Sequence, residues 1–120
     1  MKTLTLCFAV AALFSTTAYA ASSPEVAKCM ELPDNEFMAQ LDCLDPILAK
    51  SKADLDNAYK AKIASFNGDK KAIQALDKQQ KDWKKKLPKS CGEASRPQES
   101  GYVEACKIEA TNKRTAELSK

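Results

Sequence analysis

The sequence predicts an all-α fold: a small antiparallel helical bundle of three main helices, with short helices at its N-terminal end, stapled by two disulfides. Three observations predict it. Apolar residues recur at helical spacing within residues 48–66, 73–87 and 103–118. Four cysteines remain once an export segment is set aside, an even number in a chain of this length. No stretch reads as a strand, and neither an internal repeat nor a low-complexity tract is present.

Residues 1–20 are expected to lie outside the fold. Met1-Lys2 is a short basic start, Leu4 to Phe14 is apolar apart from Thr5, and Ala18-Tyr19-Ala20 has the A-x-A form of a cleavage site. This reads as a secretory signal peptide cut after Ala20. Its apolar core, at 1.5 Å of rise per residue, falls well short of the roughly 30 Å of a membrane interior. The remaining domain, 21–120, is expected to be periplasmic or secreted, without a membrane span.

The elements follow in order. Ser22 or Ser23 before Pro24-Glu25 is a helix start with proline at the first position. Leu32-Pro33 interrupts that helix, and Asp34 is the next candidate cap. A short helix is expected from Asn35 to Cys43, with Phe37, Leu41 and Leu44 on one side. Asp45-Pro46 repeats the cap-then-proline signal, so a long helix is expected from there to Phe66, burying Leu48, Leu55, Tyr59, Ile63 and Phe66. Asn67-Gly68 tolerates the left-handed backbone of a helix end. Asp69 caps the next helix at once, and so short a connection makes the two antiparallel. In that third helix Ile73, Leu76, Gln80, Trp83 and Leu87 form one stripe, and Pro88 is expected to stop it. Residues 88–101 are rich in proline, glycine and serine and read as a loop. A last helix, from Tyr102 to Leu118, places Val103, Cys106, Ala110, Arg114 and Leu118 on one face.

Removing the signal segment removes Cys7 and leaves Cys29, Cys43, Cys91 and Cys106, at spacings of 14, 48 and 15. Zinc is the alternative to disulfides, but its ligand pairs usually sit two to four residues apart and the chain has no histidine. Topology favours Cys29–Cys43, which flank the Leu32-Pro33 break, and Cys91–Cys106, which the loop between the last two helices can bring together.

Net charge is small, but its distribution is not even. Residues 21–48 hold six acids against Lys28, residues 49–89 hold twelve lysines against five aspartates, and residues 90–120 balance. The lysines at 78, 81, 84, 85, 86 and 89 fit a solvated helix face. Without arginine or aromatic interleaving they do not form a nucleic-acid footprint, and no nucleic acid is expected as a partner.

The ordered set Cys29, Cys43-Leu44, Asp54-Leu55-Asp56-Asn57-Ala58-Tyr59, Gln80-x-x-Trp83, Cys91, and Cys106-x(4)-Thr111-x-x-Arg114-x(3)-Leu118 resembles the LprI-like lysozyme-inhibitor domain family. The resemblance spans most of the chain after residue 20. It departs at Leu87, where such domains usually carry an arginine. It implies a small exported helical binding protein whose expected protein partner is a lysozyme, blocked by non-covalent occlusion of its cleft. The alternative is an envelope structural, stress or immunity-like interaction module with no lysozyme activity.

Animal-type lysozymes are strongly basic, so an inhibitor of this kind is expected to present acids. Glu31, Asp34, Glu36, Asp42 and Asp45 are the candidates, although Asp34 and Asp45 also read as caps. Arg96, or a loop lysine, is the candidate base for a carboxylate-lined cleft. Trp83, Tyr59 and Tyr102 read as core residues, and Gln80 as a buried amide bonded to a neighbouring helix. Catalysis is not expected: no nucleophile stands beside a recognisable base, and no metal cluster or phosphate loop is present, so no cofactor is expected. Partner identity and oligomeric state stay open at this level.

Overall fold

The computed structural model describes residues 23–120; the expected signal segment, 1–20, lies outside the described residues. It holds four α-helices: α1 (Pro24–Met30), α2 (Phe37–Ser65), α3 (Lys70–Cys91) and α4 (Ser100–Leu118). Short 3-10 turns at Asp34–Glu36 and Pro97–Glu99 precede α2 and α4. No strand occurs among the described residues.

The expected caps hold at two starts and one end. Ser23 accepts a hydrogen bond from the Val26 amide at 3.3 Å, with Pro24 at the first helical position. Asp69 accepts from the amides of Lys71 and Ala72 at the start of α3. After α2, Asn67 and Gly68 take φ values of 51° and 81°, which turn the chain into α3 within a few residues.

Two prolines correct the expected boundaries. Asp45-Pro46 starts nothing, because a single helix of 29 residues runs through it. Neither Asp34 nor Asp45 is a cap: Asp34 is the first residue of the 3-10 turn, and α2 has no side-chain cap. Pro88 likewise lies inside α3, which continues to Cys91. The reason is the same at both sites. Each proline is exposed, as is the residue four positions back whose carbonyl loses its helical donor, so water replaces the missing bond. Leu44 and Leu48 anchor the core face on either side of Pro46. After Pro88, the last turn is closed by the Gly92 amide on the Pro88 carbonyl at 2.8 Å and held by Cys91.

The helices run up, down and up. α4 lies along α2 in parallel, since Leu44 and Leu48 share a cluster with Ala105 and Ile108 while Leu55 shares the other with Leu118. Near the far end the Lys62 ammonium reaches the Lys120 carbonyl at 2.9 Å. α3 runs back alongside this pair, closer to α4 than to α2. Val26 and Cys29 of α1 complete the first cluster, and Leu76 of α3 joins the second, flanked by Tyr59, Ile63, Phe66 and Trp83. Both disulfides form as expected, with Cα–Cα distances of 5.6 Å for Cys29–Cys43 and 5.5 Å for Cys91–Cys106.

The buried face of α4 is not the expected one. Gly101, Ala105, Ile108, Thr111 and Leu118 are buried, whereas Val103, Cys106, Ala110 and Arg114 are only partly so. Tyr102 is also not a core residue, being 56% exposed. Small residues set this face because α4 lies against α2 at close range. At Gly101 an added Cβ would come within 2.6 Å of the Gln40 Oε1. Gln40 cannot easily retreat, since it is fully buried and its amide donates to the Leu32 carbonyl at 2.7 Å. Gly101→Ala should therefore destabilise the fold by about 1–3 kcal/mol, read as a lower urea midpoint at unchanged slope. An unchanged midpoint would show that the contact relaxes freely.

Candidate functional site

Two surfaces can meet a partner. The first is the end where α2 and α4 begin, and it gathers most of the acids read from the sequence. Cys29–Cys43 fixes α1 beside α2, and the buried Gln40 amide holds the turn at Leu32 just before the acidic 3-10 turn. The Tyr102 hydroxyl then donates to Asp34 Oδ1 at 3.2 Å, tying that turn to the start of α4. The bond to an ionised acceptor, with the nearby negative charge, raises the pKa of Tyr102.

Glu31, Asp34, Glu36 and Asp42 are all exposed, and none makes an ion pair among the described residues. Their charge is not consumed inside the molecule. Met38 and Tyr102, the most exposed large hydrophobic residues at 58% and 56%, lie in the first turns of α2 and α4 at this same end. Sequence reading missed both. Met38 stands beside the Phe37–Leu41–Leu44 stripe, off its apolar face, which was the available signal. Tyr102 was assigned inward because its helix was read with the wrong face buried.

Arg96 is placed near this end, but it is engaged. Its Nε and Nη2 both donate to Glu99 Oε1, at 3.0 and 2.8 Å, while the Ser95 amide takes Oε2 at 3.0 Å. These bonds hold the Glu99 carboxyl below its usual pKa, the Arg96 bond contributing most. The 3-10 turn carrying Glu99 packs against the acidic turn before α2. The structure thus brings Asp34, Glu36, Tyr102 and the Arg96–Glu99 pair to one end, with Asp42 further along α2 and Asp45 beyond it.

The second surface is a groove of about 480 Å³ between α2 and α3, floored by α4. Leu55 and Tyr59 form one wall, Trp83 and Leu87 the other, with Gln80 and Thr111 beneath. Tyr59 donates to Asp77 Oδ1 across the groove at 3.4 Å. Partial burial and the Asp77 charge raise the tyrosine's pKa, while Lys81 and then the tyrosine hold Asp77 below the usual carboxylate value. Gln80 does bond a neighbouring helix, as expected: its Oε1 accepts from Arg114 Nε at 2.9 Å. Arg114 also reaches Glu117 at 3.2 Å, and its Nη2 is buried without a partner. Trp83 is half-buried, packed on the second cluster and facing the groove as well.

The model of one protein family, described as lysozyme inhibitor LprI, matches residues 29–118. The chain belongs to the LprI lysozyme-inhibitor family. No curated protein and no solved structure matches it. The LprI match takes in α2, α3, α4 and both disulfides, and only the last two residues of α1. Of the residues that carried the resemblance, the cysteines and Leu44 hold the opposite end, and several of the others gather at the second surface. Leu55, Tyr59, Gln80, Trp83 and Thr111 line the groove, Arg114 holds Gln80, and Leu118 closes the cluster behind it. Leu87, where the LprI pattern usually has arginine, forms part of the groove wall. Among the described residues no group of three or more His, Cys, Asp or Glu side chains can hold a metal ion. No helix among them is long and apolar enough to cross a membrane.

Proposed function

We propose that this LprI-family protein is an exported, non-enzymatic inhibitor that blocks a basic lysozyme by covering its cleft with the end where α2 and α4 begin. Family membership supplies the class of partner. One structural observation carries the choice of surface: exposed Tyr102 bonds Asp34 at the end where exposed Met38 also lies, and Glu31, Glu36 and Asp42 on the adjoining segments are exposed without an ion-pair partner among the described residues. An aromatic anchor within a charged rim is the composition that gives a protein interface both affinity and steering. Arg96, satisfied by Glu99, contributes to the rim of this surface and is not a free base for insertion. Two disulfides favour an oxidising compartment outside the cytoplasm.

Lysis of cell walls by several lysozyme types, with the purified oxidised protein added, tests this. Micromolar protein should slow lysis by at least one basic lysozyme. Tyr102→Ala and the pair Asp34→Asn with Glu36→Gln should each weaken inhibition about tenfold or more, a loss of about 1.4 kcal/mol of binding. Lys85→Gln with Lys86→Gln should leave inhibition unchanged. No slowing of any lysozyme at micromolar excess overturns the proposal. One observation favours a second reading, an envelope interaction module: Lys84, Lys85, Lys86 and Lys89 are exposed and make no ion pair. A salt-sensitive anionic polymer as the main partner captured from envelope extract would support that reading instead.

A further inference from the structure

The groove between α2 and α3 has a charge arrangement that the lysozyme reading does not use. The Tyr59–Asp77 bond sets the register of the two helices. Because they run antiparallel, seven residues back along α2 and seven forward along α3 arrive at the same level. Those positions hold Lys52 and Lys84, both lining the groove. The two lysines therefore face one another about 10 Å from the Tyr59–Asp77 level, at 1.5 Å of rise per residue.

Neither lysine makes a hydrogen bond or ion pair among the described residues, and Lys84 acts on Asp77 only as a more distant charge. The carboxylates of the groove are already committed, Asp56 to Lys60 at 2.7 Å and Asp77 to Lys81 at 2.9 Å. Two ammonium groups without an ion-pair partner among the described residues thus line opposite walls of a largely apolar trough, a placement that favours an anion between them. Gln80 adds direction. Arg114 holds its carbonyl oxygen, so the amide nitrogen, which has no protein partner, is the end left to the groove. From the lysines toward Tyr59–Asp77 the walls include Trp83, Leu55 and Tyr59, with Leu87 on the other side of Lys84, apolar side chains that suit a hydrocarbon body.

We propose that this groove binds a single-chain anionic amphiphile, its carboxylate head between Lys52 and Lys84 and its chain lying against Trp83 and Leu55. The span of about 10 Å fits a chain of about eight to ten carbons. The site is separate from the acidic end, and its occupancy is read without any lysozyme.

Trp83 is the chain's only tryptophan and stands in the groove wall, so its emission reports binding directly. The probes are decanoate below its micelle concentration, decanol as the neutral analogue, and decyltrimethylammonium as the cationic one. Decanoate should shift Trp83 emission to the blue and saturate, with decanol at least tenfold weaker and the cation without effect. Lys52→Gln with Lys84→Gln should weaken decanoate at least tenfold and leave decanol unchanged. Lys70→Gln with Lys71→Gln, outside the groove, should change nothing. The proposal is overturned by an absent or non-saturating response to decanoate, by decanol binding equally well, or by wild-type affinity in the Lys52/Lys84 variant. A response to vesicles containing anionic lipid without any response to decanoate also overturns it, since that would place binding at a membrane surface.

Discussion

Replacing Ile108 by alanine should cost about 2–5 kcal/mol, a large part of the stability of about 5–15 kcal/mol typical of native domains. Ile108 is fully buried and packs in the cluster formed by Val26, Cys29, Leu44, Leu48 and Ala105. It is where α1, α2 and α4 meet, and the deleted atoms leave a cavity that three elements cannot close together. Val103→Ala is the control. Val103 belongs to the face expected from the sequence, yet it is only partly buried. It should lose markedly less than Ile108→Ala in the same urea titration. Equal losses would show that α4 is rotated from the orientation described here.

Replacing Cys91 and Cys106 together by serine should cost about 3 kcal/mol, the loop-closure value for a loop of about 15 residues. Structure adds a local consequence. The α3 backbone barely approaches α2 and touches α4 modestly, so the staple is a main tether of its C-terminal turns. Trp83 lies two turns before that tether. Its emission should move to the red under native conditions in the Cys91→Ser/Cys106→Ser protein, before any denaturant is added. A native-like emission would assign the holding of α3 to the Leu76 cluster and the Gln80–Arg114 bond instead.

These two residues also show where sequence reasoning reached and where it stopped. The cysteine pairing was legible because helix breaks and loops place the partners close together. The α3 stripe was legible because its apolar residues stand against a background of Lys, Asp and Gln. On α4 the pattern failed, since Gly101, Ala105 and Thr111 carry little hydropathy and owe their burial to backbone proximity, which periodicity does not register. Ile108 was masked by these neighbours. Pro46 and Pro88 misled for a related reason: a proline's effect depends on whether water can reach the carbonyl it leaves unbonded, and that depends on the finished fold. The acids at the N-terminal end were visible as composition. Their company with Tyr102 was not, because it arises from α4 lying parallel to α2. The facing of Lys52 and Lys84 needed the register between two helices.

Both disulfides lie at the end where α2 and α4 begin, in the second turn of each, while the opposite end is held by packing and hydrogen bonds. Cross-links of this kind withdraw conformations from the chain before any encounter takes place. A surface on that end meets its partner with little freedom left to surrender, so less of the contact energy is spent on ordering it. The opposite end, where α2 turns into α3, carries no such cross-link among the described residues. Covalent restraint is therefore concentrated at the acidic tip, where α1, α2, α3 and α4 are all tied.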